Sequence, residues 1–241
     1  MNLLENKVVI VTGASSGIGE ATAKKLAAEG ASVMLAARRK ERLEALTASI
    51  GGNAAWQETD VANRSDVERL AAATLEKFGR IDALVNNAGI MPLSLLSAGR
   101  VEDWDRMIDV NIRGVLYGIH AVLGHMLERG AGHIVNVSSV AGHVVRPTAA
   151  VYAGTKHAVQ AISEGLRKET VGKIRVTVIS PGAVVTELRD SITDPGVKEA
   201  LSKINYGIPA AAIADAIAYA LSLPDQVAIN EILVRPTAQE L

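Results

Sequence analysis

A tyrosine and a lysine stand four residues apart in the stretch VYAGTKHAVQ, at Tyr152 and Lys156. Residues at this spacing lie on one face of a helix, so both side chains can serve one site. A phenol is a poor proton donor at neutral pH, because its unperturbed pKa is about 10. An ammonium about 4 Å away, at an effective dielectric constant of about 20, favours the phenolate by about 4 kcal/mol, or about three pKa units. The pair is therefore a candidate general acid and base, although surface helices carry the same spacing.

A glycine-rich segment, TGASSGIGEATAKKLAAEG, follows the first predicted strand and has glycines at 13, 17 and 19. A backbone that turns sharply here can approach a pyrophosphate, and the helix that follows offers free N–H groups to the anion. An ordinary turn between a strand and a helix could contain the same glycines. The position directly after the first strand of an alternating chain favours dinucleotide binding.

The end of the second predicted strand bears on which dinucleotide is bound. Sites selective for NAD usually have an acidic residue there, which holds the ribose 2′-hydroxyl. This chain has Ala37 at that position, followed by Arg38 and Arg39. Guanidinium groups can hold a 2′-phosphate, and no carboxylate is present to repel it. We therefore predict NADP(H), although a basic start to a solvated helix is the alternative.

Five motifs together resemble those of the short-chain dehydrogenase/reductase family, and they span essentially the whole chain in the family's order. They are the TGxxxGxG glycines, NNAG at 86–89, Asn111 in DVNIRG, Ser139 thirteen residues before Tyr152 of the YxxxK pair, and PGAVVT at 181–186. Bacterial members that act on small hydroxy acids, serine-like alcohols or aldehydes are the most similar in pattern.

The resemblance implies an oxidoreductase that interconverts a small alcohol and its aldehyde or ketone by hydride transfer. Tyr152 would be the general acid or base, and Ser139 would hydrogen-bond the reacting oxygen. Lys156 would lower the tyrosine pKa and hold the nicotinamide ribose, and Asn111 would position a water in a proton relay. Ser138 could be mistaken for the catalytic serine, but adjacent residues on a strand face opposite ways and the spacing to Tyr152 selects Ser139.

The resemblance also implies where the cofactor binds. Asp60 and Val61 would lie near the adenine, NNAG near the adenosine ribose, and Thr186 near the carboxamide. The predicted cofactor-binding residues are Gly13, Ser15, Ser16, Gly17, Ile18, Gly19, Arg38, Arg39, Asp60, Val61, Asn87, Ala88, Gly89, Tyr152, Lys156, Pro181, Gly182, Val184 and Thr186. Residues 187–209 would form a short lid over the substrate. No metal site is predicted, because the five histidines have no ligand spacing.

Short β-branched runs alternate with helical patterns and must position these residues. Strands are predicted at 7–12, 32–37, 54–59, 82–87, 133–138, 175–180 and 231–234. Continuous apolar runs are typical of strands buried on both faces of a parallel sheet. We predict a doubly wound, seven-stranded Rossmann fold with helices on both faces, as a single domain over residues 1–241. SDVE at 65–68 reads as a capping box, with Gly79 ending the helix that follows.

Composition limits the function classes. The net charge of −1 provides no field that would recruit nucleic acid or an anionic membrane. Cysteine is absent, and the first residues lack the long apolar run of a signal peptide, so we expect a cytoplasmic protein. The resemblance implies a homo-oligomer, either a dimer or a tetramer. The main alternative function is a non-catalytic protein that binds NADPH and senses its level.

Overall fold

The computed structural model describes residues 4–203 and 206–240. The strands are β1 (Val8–Thr12), β2 (Ser32–Ala37), β3 (Ala54–Glu58), β4 (Ala83–Asn86), β5 (Gly132–Val137), β6 (Ile174–Pro181), β7 (Val184–Val185), β8 (Ile208–Pro209) and β9 (Glu231–Val234). The helices are α1 (Gly17–Ala28), α2 (Lys40–Ile50), α3 (Arg64–Phe78), α4 (Val101–Ile108), α5 (Gly114–Arg129), α6 (Ala150–Glu169), α7 (Pro195–Ser202) and α8 (Ala210–Ser222). A π-helical turn, Asp109–Arg113, joins α4 to α5.

Seven strands form one parallel sheet in the order β3-β2-β1-β4-β5-β6-β9. Val9 of β1, for example, pairs with Val33 of β2 on one side and with Ala83 of β4 on the other. The predicted doubly wound Rossmann-like fold is confirmed, and each of the seven predicted strands is present. The short parallel pair of β7 and β8 is an addition that the sequence pattern did not predict.

The core lies on both faces of this sheet, because successive side chains of a buried strand point in opposite directions. Val9 and Val11 of β1 pack under α1, α2 and α8, whereas Ile10 faces the cluster formed with α3, α5 and α6. All five residues of β1 are buried. Because both faces of such a strand are buried, its sequence is a continuous apolar run.

The start of α3 differs from the prediction. The helix begins at Arg64, and its N-cap is Asn63, whose Oδ1 accepts a hydrogen bond of 3.0 Å from the Ser65 amide. Ser65 therefore lies in the first turn, and the capping box at 65–68 was wrong. Asn is among the strongest N-cap residues, so Asn63 takes the role two residues before the Ser65 that SDVE suggested. The predicted end is confirmed, because Gly79 has a left-handed φ of 76°.

The carboxyl ends of the parallel strands meet at one edge of the sheet, and the chain reverses its strand order between β1 and β4. Ligands of open α/β sheets bind in the crevice at such a switch point. The glycine-rich loop leaves β1 at this edge, NNAG leaves β4, and Ser139 follows β5. No helix in the described ranges is long and apolar enough to cross a membrane.

Candidate active site

The glycine-rich loop is shaped by the close approach of the segment after β4. Gly13 and Gly17 have left-handed φ values of 66° and 56°. A Cβ on Gly13 would lie 2.8 Å from Nδ2 of Asn87, and one on Gly17 would lie 3.0 Å from Cγ2 of Thr186. Only glycine fits these two positions without displacement. The loop is thus held between NNAG and the segment that follows β6.

Thr12 ties NNAG to the end of β1. Its hydroxyl oxygen accepts hydrogen bonds from the amides of Asn87 (3.0 Å) and Ala88 (3.1 Å). The Asn87 side chain donates in turn to the Thr12 carbonyl oxygen, at 2.8 Å. These hydrogen bonds satisfy backbone amide and carbonyl groups that would otherwise lack partners at the edge of the sheet. They fix the position of Gly89 next to the catalytic candidates.

One elongated cavity of about 610 Å³ runs along this edge, from Arg38 and Arg39 to Tyr152 and beyond. All the predicted cofactor-binding residues line it except Gly19. Gly19 lies behind the loop, where a Cβ would collide with the Gly13 carbonyl oxygen. Gly19 thus allows α1 to pack closely against the loop, and its contact with the cofactor stays a prediction.

Tyr152 and Lys156 project from α6 into the cavity, and both are more than nine-tenths buried. The Lys156 Nζ donates to the Val137 carbonyl oxygen at 2.9 Å and lies 5.8 Å from the centre of the Tyr152 ring. Burial raises the pKa of Tyr152 to about 12, although a hydrogen bond with Ser139 lowers it in part. Burial also lowers the pKa of Lys156 to about 8.

These pKa values correct the expected effect of the lysine. We expected the Lys156 ammonium to bring the Tyr152 pKa near 7, but desolvation of the phenolate outweighs any such attraction in this structure. Burial therefore favours the neutral phenol of Tyr152 over the phenolate. A neutral phenol can donate a proton, which is the direction that carbonyl reduction requires.

The two serines after β5 have different partners. Ser138 is 3% exposed, and its hydroxyl donates to the Lys156 carbonyl oxygen at 3.0 Å. The Ser139 hydroxyl accepts a hydrogen bond from the Ala141 amide at 3.1 Å and makes a long bond of 3.4 Å to the Pro181 carbonyl oxygen. Ser139 also lies close enough to Tyr152 to lower its pKa in part. The geometry favours Ser139 over Ser138 as the partner of the reacting oxygen.

Asn111 does not line the cavity but lies directly behind it, 1% exposed, in the π-helical turn. Its Oδ1 accepts from the Ile90 amide at 2.9 Å. Its Nδ2 donates to the Ile90 carbonyl oxygen (3.0 Å) and to the Thr155 hydroxyl (3.1 Å). The π-turn aims this side chain between the segment after NNAG and α6, so Asn111 holds the two catalytic elements together.

The two arginines after β2 are held differently. Arg39 donates to the Ser15 hydroxyl (3.0 Å), the Ser16 hydroxyl (2.6 Å) and the Glu187 carboxylate (2.8 Å). Arg42, one turn into α2, donates to the same carboxylate at 2.7 Å. These hydrogen bonds lower the pKa of Glu187 to about 2. Arg38 lines the cavity in an exposed position.

Sequence reasoning missed Glu187 and the end of the chain. Glu187 follows Thr186, and no sequence motif at this position indicates that Arg42 of α2 is its partner. Gln239 lines the cavity, and its Oε1 accepts a hydrogen bond of 2.7 Å from the Ala183 amide. Arg146 also lines it and donates to the Glu240 carbonyl oxygen at 2.7 Å. No local signal could have found these residues, because their partners are distant in sequence.

The segment 187–209, which we predicted to form a lid, contributes lining residues to the same cavity as Tyr152. It contains a 3₁₀ turn (Glu187–Ser191) and α7, and its residues 204 and 205 lie outside the described residues. Leu188, Leu201 and Tyr206 line the cavity. The Ser191 hydroxyl accepts a hydrogen bond of 2.8 Å from the Met91 amide, which joins the lid to the segment after NNAG. Within the described ranges, no three acidic or histidine side chains cluster as metal ligands would.

Residues 7–195 match the model of the short chain dehydrogenase family. The chain belongs to this family. It is 48% identical, over the full length of both chains, to an uncharacterised oxidoreductase of Staphylococcus saprophyticus. Its fold superposes on a closed form of serine dehydrogenase complexed with NADP⁺, with a TM-score of 0.92, 35% identity, and coverage of 97% of this chain and 96% of that one.

Another similar structure contains NADH instead of NADP⁺. It is a 3-ketoacyl-(acyl-carrier-protein) reductase from Brucella melitensis complexed with NADH, with a TM-score of 0.86, 32% identity, and coverage of 96% of this chain and 97% of that one. This short-chain dehydrogenase is therefore an oxidoreductase that acts on CH–OH and C=O groups. One of these similar structures contains NADP⁺ and the other contains NADH. The cofactor preference of this chain is therefore argued from its own residues.

Proposed function

We propose that this dehydrogenase interconverts a small alcohol and its aldehyde or ketone with NADP(H). The observation that carries the proposal is that Tyr152, Lys156 and Ser139 line the same cavity as the glycine-rich loop and the two arginines. A nicotinamide cofactor supplies or accepts the hydride when it is bound. Every other task falls to residues of the chain.

Each candidate catalytic residue would have a separate role, which follows from the chemistry of its side chain. The Tyr152 phenol would donate its proton to the carbonyl oxygen during reduction, and the Tyr152 phenolate would take the alcohol proton during oxidation. The Ser139 hydroxyl would hydrogen-bond the same oxygen and stabilise the charge that develops on it. Lys156 would hold ribose hydroxyls and favour the phenolate left on Tyr152. Asn111 would keep Ile90 and Thr155, and through them both catalytic segments, in place.

Residues at one end of the cavity support the binding of a dinucleotide. Left-handed glycines at 13 and 17 bring backbone close to a pyrophosphate position, and α1 begins directly at Gly17. Beside this loop, Ala37 leaves room where a carboxylate would repel a 2′-phosphate, and Arg38 and Arg39 can bind it. We infer a preference for NADP(H) from these three residues.

Apolar side chains form part of the substrate end of the cavity. Met91, Leu93, Val144 and Leu201 line it near Tyr152, under the lid. Their side chains favour a short alcohol or carbonyl compound over a large one. The similarity to a serine dehydrogenase is consistent with a small hydroxy acid or a serine-like alcohol, and we propose that residues 187–209 act as the lid over it.

We further propose a cytoplasmic homo-oligomer, a dimer or a tetramer. Apolar side chains are exposed on α5, where Leu116 is 43% and Leu127 37% exposed, and on the edge strand, where Leu233 is 38% exposed. Such surface is typical of faces that associate. Light scattering at micromolar concentration tests this, and a mass near that of the 25.3 kDa chain would contradict it.

A substrate panel tests the function itself. Absorbance at the NADPH wavelength should fall when small aldehydes and ketones are added, and it should rise with NADP⁺ and the matching alcohols. Binding of NADPH is measured in parallel by fluorescence. Tight NADPH binding without turnover of any compound would support the sensor alternative and contradict an enzyme of small carbonyl compounds.

A further inference from the structure

A second cavity, of about 560 Å³, lies at the amino ends of the strands, on the edge of the sheet opposite the active site. Its walls come from the starts of β1, β4, β5 and β6, the ends of α5 and α6, and the segment between α8 and β9. None of its lining residues lines the first cavity. It is therefore a separate feature of the molecule.

Positive charge dominates this cavity, although the whole chain has a net charge of −1. Two carboxylates, Asp82 and Asp225, line it. The cationic residues that line it are Lys7, Arg80, Arg129, Arg167, Lys173 and Arg175. The lining thus carries an excess of four positive charges.

Ion pairs within the cavity show how close the cations are and how incompletely they are neutralised. Arg80 and Arg129 both contact Oδ1 of Asp82, at 2.6 and 3.0 Å. Lys7 and Arg175 share Oδ1 of Asp225 at 3.9 and 3.5 Å, which are long distances to a carboxylate that is 72% exposed. Each acid therefore serves two cations, and one positive charge remains in each group.

The other two cations add to the excess. Arg167 pairs with Glu164, but Lys168 binds the same carboxylate, so that group also has one positive charge left over. Lys173 is exposed and makes no ion pair with any residue that the structure describes. Cations often neutralise helix C-termini, which accounts for Arg129 and Arg167. Arg175 likewise donates to the carbonyl oxygen of Leu223, the C-cap residue of α8, at 3.0 Å. Helix C-termini do not account for Lys7 and Arg80, which precede β1 and β4.

His133 is a buried polar side chain in the wall of this cavity. It lines the cavity beside Arg175, its partner in the register of β5 and β6, and it is 2% exposed. Its Nε2 bonds the Thr177 hydroxyl at 2.8 Å, whereas its Nδ1 is buried without a hydrogen-bond partner among the described residues. Burial, with the charges of Arg175 and Lys7, lowers the pKa of His133 to about 3.

We infer that this cavity binds a small, multiply charged oxyanion, such as a phosphorylated or polycarboxylate metabolite. Four of the six cations are arginines, whose guanidinium groups match the oxygens of phosphate and carboxylate. The volume is within the usual range for small-molecule sites, roughly 300–1,000 Å³. The bound anion would neutralise the charge that Asp82 and Asp225 leave uncompensated.

Calorimetric titration with pyrophosphate and, in a separate arm, citrate tests the inference at constant ionic strength. The background is Arg38→Gln/Arg39→Gln saturated with NADH, so that neither the 2′-phosphate position nor the pyrophosphate position of the other cavity is open to the probes. Binding should persist in that background. Adding Lys7→Gln/Lys173→Gln should weaken it by about tenfold, because two of the six cations that line the cavity are lost. The control Lys24→Gln/Lys203→Gln removes two exposed lysines that line neither cavity, and it should have no effect.

The two arms distinguish the sources of the anion, since a phosphate compound predicts tighter binding of pyrophosphate and a polycarboxylate predicts tighter binding of citrate. Circular dichroism verifies that each variant is folded. Absence of binding by both probes in the Arg38→Gln/Arg39→Gln background would overturn the inference. Equal affinities in the Lys7→Gln/Lys173→Gln variant and its control would overturn it as well.

Discussion

The Arg39 guanidinium lies 2.8 Å from the Glu187 carboxylate, although 148 residues separate them in the chain. The pair joins the cofactor end of the cavity to the first residue of the lid's 3₁₀ turn. Arg42 binds the same carboxylate, and the pKa of Glu187 is about 2, so the acid is charged at any ordinary assay pH. A carboxylate thus competes for the arginine that we assign to the 2′-phosphate.

Glu187→Gln should therefore strengthen the use of NADPH. Removing the competing charge should lower KM for NADPH by about two- to fivefold, because an exposed ion pair is a weak competitor. KM for NADH should stay within experimental error, since that cofactor has no 2′-phosphate. Glu164→Gln, which releases an equally exposed pair on the far side of the molecule, is the control. An equal fall in KM for both cofactors would show that the pair restrains the lid rather than the arginine.

The cofactor preference should reverse in the double variant Ala37→Asp/Arg38→Leu. Wild type should favour NADPH over NADH by roughly ten- to a hundredfold in kcat/KM, the value of one good arginine–phosphate contact. The variant adds repulsion and removes attraction, so it should shift preference towards NADH. Ala72→Asp/Arg69→Leu makes the same charge change on the exposed side of α3 and should leave the ratio unaltered. Equal kcat/KM of the wild-type enzyme with NADPH and NADH would mean that Arg38 and Arg39 only form a solvent-exposed start to α2 and do not bind the 2′-phosphate.

Tyr152→Phe should abolish the proton donor and keep the ring. The rate should fall by at least about 10²–10⁴-fold, the usual contribution of general acid catalysis, and NADPH affinity should change little. Tyr219→Phe, at a 58% exposed position on α8, is the matched control and should retain full activity. A Tyr152→Phe enzyme with more than about a tenth of wild-type turnover would refute the assignment.

Lys156→Met should lower both the rate and the affinity for NADPH, because one ammonium is assigned two tasks. Single-turnover rates and fluorescence titration separate the two effects. Lys168→Met changes an exposed lysine on the same helix and serves as the control. Unchanged NADPH affinity in Lys156→Met would show that the lysine does not hold the cofactor.

The same variant should alter the pH dependence of stability. The pKa of Lys156 is about 8 in the folded chain against an ordinary value of 10.5, so the unfolded chain binds more protons between these values. The free energy of unfolding of wild type, relative to Lys156→Met, should consequently rise by about 1.4 kcal/mol per pH unit across that interval. Urea unfolding at pH 8, 9 and 10 measures the difference. A difference that is flat with pH would show that the lysine is not desolvated.

Many features of the fold and of the candidate site could be predicted from the sequence, because they depend on local chemistry. The apolar runs predicted all seven strands of the sheet, because double burial demands continuous apolar residues. Gly13 and Gly17 were identifiable because no other residue tolerates their left-handed backbone so close to neighbouring segments. The YxxxK spacing placed Tyr152 and Lys156 on one face of α6, since the pitch of a helix is fixed.

Only the tertiary structure decided what depends on burial and on distant partners. The pKa of Tyr152 rises because the phenol is buried, and the degree of burial is a property of the packed molecule. Gly19 and Asn111 match their motifs but lie behind the cavity, where they pack and brace it. Glu187, Gln239 and the cationic cavity at the opposite edge have no sequence signal. Each depends on segments that folding brings together from far apart in the chain.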